Sequence, residues 1–157
     1  MNHSPLNYAL WLLGRRDRSI GEIRKKLEAK ECSVKEIDEA LAFLCHNNFL
    51  NDDRFAKNYI QNQLIIKPIG KYQLKMKLKR KLIPEEKIDK ALSESELDEG
   101  KLAEIATEKW LKGKCQILRI KYQDDARKIK ENLSRHLISR GFGWEIVKNV
   151  LEKTNLK

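Results

Sequence analysis

Ile37-Asp38-Glu39-Ala40-Leu41 returns 51 positions later as Ile88-Asp89-Lys90-Ala91-Leu92, and this echo decides the fold. Repetition at such a period marks a supersecondary unit that buries its apolar face only against its neighbours. Outward from the echo, three registers align without a gap over about nineteen residues. Ile23, Leu74 and Leu133 correspond, as do Leu27, Leu78 and Leu137. Cys32 then matches Ile83 and Phe142, Ile37 matches Ile88 and Val147, and Leu41 matches Leu92 and Leu151. Offsets of four, five, five and four residues place these side chains on the inner faces of two consecutive helices joined by a tight turn.

A further helical segment precedes each pair: Tyr8-Ala9-Leu10-Trp11-Leu12-Leu13, then Phe55-Ala56-Lys57-Asn58-Tyr59-Ile60, then Ile105-Ala106-Thr107-Glu108-Lys109-Trp110. The chain is therefore expected to be all-α, as three tandem three-helix modules over residues 1–50, 51–95 and 96–157. Module spacing grows from 51 to 59 residues, measured between Leu27, Leu78 and Leu137, because the connector after the first helix lengthens. Residues 113–120 read equally as a loop or as a helix extension.

Helix ends carry their own signals. Ser19 with Glu22, and Ser33 with Glu36, form two capping boxes, in which the serine oxygen takes a free helix N–H and the glutamate reaches back. Asn51 or Asp52 can cap the helix carrying Phe55, with Asp53 favourable in its first turn. Pro84 suits a first helical turn, where its missing N–H has no partner to lose. Gly141 is placed to end a long helix in the left-handed conformation. Its equivalents are Glu31 and Leu82, for which that conformation costs on the order of 1 kcal/mol, so the first two turns are expected to use another geometry.

The 157 residues carry 33 Lys and Arg against 23 Asp and Glu, a net charge of +10. Residues 101–157 hold 14 of the basic residues and 7 of the acidic ones, so the excess is concentrated there and favours a polyanionic partner or an acidic protein surface. No apolar run reaches the roughly 20 residues that span a bilayer, and residues 1–5 lack the basic and apolar character of a signal peptide. Cys32, Cys45 and Cys115 suggest neither a disulfide framework nor a zinc site, and read as small buried hydrophobes of a reducing cytoplasm.

The ordered motifs resemble the RecX family, regulatory partners of the RecA recombinase. The first module offers Ala9-Leu10-x-Leu12-Leu13, then Arg15-Arg16, then Ser19-x-x-Glu22-Ile23-x-x-Lys26-Leu27. The second opens with Phe49-Leu50-Asn51-Asp52-Asp53-Arg54-Phe55-Ala56 and continues Gly70-x-x-x-Leu74-x-x-x-Leu78. The third carries Arg140-Gly141-Phe142 with Val147 and Leu151. Such a resemblance implies an elongated, curved, monomeric molecule of tandem three-helix units in the cytoplasm. It also implies binding to RecA–DNA nucleoprotein filaments, with inhibition of ATP hydrolysis, strand exchange and the SOS response that filaments trigger.

The residues suggest where such a partner sits. Residues 67–81 contain Lys67, Lys71, Lys75, Lys77, Lys79, Arg80 and Lys81 and no acid. With Leu74, Leu78 and Leu82 on one arc of about 80°, the bases cover most of the remaining helix circumference and are offered to DNA phosphate or to an acidic protein surface. Arg127, Lys128, Lys130, Arg135 and Arg140 recur along a third-module helix as a second such face. Arg15 and Arg16, beside Arg18, form a smaller cluster that Asp17 and Glu22 partly neutralise. Weak non-specific attraction to bare DNA follows from charge alone.

Other groups read as structural. Trp11, Trp110 and Trp144 are expected to pack in the core or between modules rather than stack on bases, and Tyr59 and Tyr72 likewise. Adjacent Asp52 and Asp53 diverge by about 100° on a helix and suit capping better than metal binding. His3, His46 and His136 are isolated, no nucleophile–base grouping is visible, and no phosphate-binding glycine loop occurs. Neither a cofactor nor a metal is expected, and no enzyme activity. Two other function classes compete: a helix-turn-helix DNA reader and a helical-repeat scaffold. The would-be reading helix carries Glu36, Asp38 and Glu39 against Lys35, a poor face for a phosphate-lined groove.

Overall fold

The computed structural model describes residues 4–122 and 125–154. Among these are nine helices and no strand: α1 (Pro5–Leu13), α2 (Ile20–Glu28), α3 (Val34–His46), α4 (Asp52–Ile66), α5 (Lys71–Arg80), α6 (Glu85–Glu94), α7 (Glu99–Tyr122), α8 (Ala126–Ser139) and α9 (Trp144–Lys153). They follow the threefold pattern, with α2–α3, α5–α6 and α8–α9 as the repeated pairs. Residues 113–120 belong to α7, where Gly113 faces open space. Pro84 stands one position before α6, as its N-cap, rather than inside the first turn.

Thirteen of the fifteen aligned positions are buried, while Cys32 and Leu151 are half-buried. Ile23, Leu27, Leu74, Leu78, Leu133 and Leu137 are wholly inaccessible. Removing a leucine side chain from such a site costs about 2–5 kcal/mol. Both serine capping boxes form as expected: Ser19 and Ser33 accept the N–H of Glu22 and Glu36, and each glutamate reaches back.

The turns between paired helices are alike in all three modules. Cys32, Ile83 and Phe142 each donate to the carbonyl five residues back, on Leu27, Leu78 and Leu137, at 3.3 Å. Glu31, Leu82 and Gly141 each donate three residues back, at 2.8–2.9 Å. These are the two bonds of a Schellman cap. The expectation of a different geometry at the non-glycine positions is wrong: φ is 59° at Glu31 and 58° at Leu82, as against 82° at Gly141. Two recovered carbonyls and the buried contact between the residue after the turn and the leucine before it outweigh the left-handed penalty.

Two compact units are present, Met1–Tyr59 with Lys77–Ser95, and Ile60–Met76 with Glu96–Lys157. The first has a core of Ala9, Leu12, Ile23, Leu27, Ile37, Ala40, Leu41, Leu44 and Leu50. The second is built on Ala103, Ala106, Trp110, Ile129, Leu133, Leu137, Phe142, Val147 and Val150.

One pair of hydrogen bonds occurs inside each unit, in matching register. In the first, the buried Ser19 hydroxyl donates to the Lys81 carbonyl, and the Ile20 N–H donates to the Asp52 carboxylate at 2.9 Å. In the second, the Gly70 N–H donates to the Arg140 carbonyl at 2.9 Å, and the Lys71 N–H to the Glu99 carboxylate at 2.8 Å. Ser19 aligns with Gly70, Ile20 with Lys71, and Lys81 with Arg140. The Ile20 amide of α2 and the Gly70 and Lys71 amides of α5 are thus satisfied by the following module, through the acidic start of its first helix and, at Gly70, its Schellman turn, which at α2 takes the Ser19 hydroxyl instead. Close approach demands glycine: a Cβ on Gly70 would lie 2.1 Å from the Gly141 oxygen, and one on Gly21 2.5 Å from the Leu82 Cβ. The α8 equivalents, Ile129 and Lys130, lie a turn inside their helix, and Ile129 donates to Asp125 instead.

Candidate functional site

On α5 the absence of acids within residues 67–81 does not leave all its bases unpaired, because carboxylates arrive from elsewhere. Lys79 pairs with Glu85 at 3.1 Å and Lys81 with Glu22 at 3.2 Å. The side chains of Lys71, Lys77 and Arg80 have no carboxylate partner among the described residues, and Lys71 and Arg80 are exposed. Glu22 also holds Arg16 at 3.1 Å while closing its capping box. Burial works to raise its pKa, but the Arg16 guanidinium, the Ser19 N–H and Lys81 together hold it below the ordinary range. Arg16 and Lys81 are thereby drawn into the scaffold, and Arg15 lies over the Trp11 ring at 4.4 Å.

On α8, Arg127 and Arg135 flank one carboxylate, Glu131, at 3.6 and 3.8 Å. Lys128 reaches Asp125 at 3.5 Å. Exposed pairs of this kind are weak and screened by salt, so a phosphate or an acidic side chain exchanges with them readily. Lys130 is half-buried without a carboxylate partner among the described residues. Arg140 differs in that it is half-buried and donates to the Pro68 carbonyl at 3.3 Å within the second unit.

Acidic pairs and cysteines behave as scaffold. Asn51 caps its own helix by accepting the Arg54 N–H at 2.9 Å, whereas Asp52 caps α2 through Ile20. Burial pushes the Asp52 carboxyl up, against the pull of the Ile20 N–H and Lys87. Asp53 pairs with Lys87 at 2.7 Å, which lowers its own pKa. Among the described residues no group of three or more His, Cys, Asp and Glu side chains could hold a metal ion. Cys32 and Cys45 are half-buried rather than buried, and desolvation raises the Cys45 thiol. The Cys115 side chain and His3 lie outside the described residues.

Tryptophan placement corrects the sequence expectation in two of three cases. Trp110 is core, 6% exposed, beside His136. Trp11 is 52% exposed and Trp144 59%, because each stands at the rim of its helix's apolar arc. Tyr72 is likewise 65% exposed, while Tyr59 is half-buried and stacked on Phe55. No helix among the described residues is long and apolar enough to cross a membrane.

Two family models match this chain, "RecX, first three-helix domain" at residues 6–44 and "RecX, second three-helix domain" at residues 51–92. "Regulatory protein RecX" of Actinobacillus pleuropneumoniae serotype 5b is 35% identical over 141 residues, covering 90% of this chain and 86% of that protein. The protein of the same name from Prosthecochloris aestuarii is 32% identical over 149 residues, covering 94% and 91%. Among solved structures, the crystal structure of RecX from Lactobacillus salivarius superposes with a TM-score of 0.80 at 22% identity, covering 95% of this chain and 93% of that one. Sequence identity along nine-tenths of the chain, two matching three-helix domains and the shared fold lead to one conclusion: this chain belongs to the RecX family of regulatory proteins.

Proposed function

We propose that this protein binds RecA–DNA filaments in the cytoplasm as a monomer and restrains them, lowering ATP hydrolysis, strand exchange and the co-protease activity behind the SOS response. The observation that carries this reading is the identity with regulatory RecX proteins over nine-tenths of the chain. The bases of α5 and α8 support it. Lys71, Lys77 and Arg80 on α5 keep their charge available, and Arg127, Lys128, Lys130 and Arg135 on α8 are held by weak, exchangeable pairs or by none. Of the first-module cluster, Arg15 and Arg16 are engaged by Trp11 and Glu22 and contribute field rather than contact.

Pelleting tests binding. RecA filaments assembled on single-stranded DNA with a non-hydrolysable nucleotide should carry the protein into the pellet at salt concentrations where the DNA alone does not. The double variant Lys77→Glu, Arg80→Glu should remain helical and pellet several-fold less. Protein left in the supernatant with filaments, or recovered equally with bare DNA, contradicts the proposal.

A further inference from the structure

Trp144 lies outside the buried core of its unit. Val147 and Val150 are the α9 residues buried in the core, which Phe142 and Trp110 also join. Yet a 59% exposed indole stands at the first position of α9, with neither an aromatic nor a cationic partner among the described residues. It lies in a groove of about 570 Å³ between α8 and α9, a size that suits a ligand fragment. Trp144 and Leu151 supply the apolar surface, and Arg127, Lys130 and Arg135 line the α8 side with Glu131 between the two arginines. Three cations meet one carboxylate here. The basic residues extend over about 12 Å of helix at 1.5 Å per residue.

We infer that this groove binds single-stranded nucleic acid, with an unpaired base stacked on Trp144 and the adjoining phosphates on Arg127, Lys130 and Arg135. Any base offers a π face to an indole, and aromatic platforms beside a basic track are how sequence-tolerant single-strand sites work. Arginine pairs phosphate oxygens through its planar fork. An acidic peptide would satisfy the cations and leave the indole face unused. Trp11 is a weaker platform, since Arg15 already covers its ring and Tyr8 stacks against it. This assignment rests on the filament-binding reading and gives one of its basic faces a defined ligand.

The test compares an oligothymidylate with an abasic strand of equal length, by fluorescence anisotropy on the full-length protein. Wild type should bind the thymidylate about ten-fold more tightly than the abasic strand, the scale of one stacked base. Trp144→Ala should remove that preference, Trp144→Phe should keep most of it, and Arg127→Ala with Lys130→Ala should weaken both strands alike. Tryptophan emission should be quenched by the thymidylate in wild type and unchanged in Trp144→Phe. Equal binding of the two strands by wild type, or equal loss on Trp144→Ala, overturns the inference; so does a polyglutamate that competes better than the thymidylate. Filament pelleting that persists alongside such a failure would sink the Trp144 site alone, whereas loss of pelleting in wild type would sink the broader reading.

Discussion

Glu31 and Leu82 hold the left-handed conformation that their third-module counterpart leaves to glycine. Each gives up on the order of 1 kcal/mol relative to glycine, and Glu31 is exposed with no side-chain bond to lose among the described residues. Glu31→Gly should therefore raise stability by about 0.5–1 kcal/mol, visible as a higher urea midpoint at unchanged slope. An unchanged or lower midpoint would show that the turn is not strained. Glu22 makes a second residue-level prediction. Its folded pKa is depressed, so its contribution is complete above the unfolded value of about 4.3 and is lost as pH falls through the folded value. The stability difference between wild type and Glu22→Gln should stay constant from about pH 7 to pH 5.5, then shrink toward pH 4. A difference that grows on acidification would contradict the depressed pKa.

Between elements, the repeated pair of hydrogen bonds from the N-termini of α2 and α5 does what the helices cannot do for themselves. Gly70 makes the sharpest test, because a Cβ would meet backbone 2.1 Å away rather than a movable side chain. Gly70→Ala should cost about 2–3 kcal/mol, and alanine is also the poorer residue at this N-cap position; a midpoint shift below a few tenths of a kcal/mol would mean that the contact is dispensable. This contact was not legible in the sequence. It joins Ser19 to Lys81 and Gly70 to Arg140, pairs 62 and 70 residues apart, through carbonyl oxygens that every residue possesses. The helices themselves were legible, because burial at Ile23, Leu74 and Leu133 is written as apolar side chains at regular offsets. Asp52 was recognised as a cap, but its helix was not: spacing ties a cap to the adjacent helix, and burial directs this carboxylate to α2.

In the whole molecule, the fold follows from three copies of one pattern, whereas the binding surface depends on which charges the fold leaves unmatched. Sequence placed the bases on α5 and α8 but not their partners, since Glu22 and Glu85 lie outside the basic stretch that each helps neutralise. It also assigned Trp144 to packing, because an aromatic at the rim of an apolar arc has the same spacing whether covered or not. Restraint of the RecA filament is read out by the single-stranded-DNA-dependent ATPase of RecA with increasing amounts of this protein. ATP hydrolysis should fall in a dose-dependent way for wild type and several-fold less for the Lys77→Glu, Arg80→Glu variant. Hydrolysis that stays constant at an excess of the wild-type protein would contradict the account.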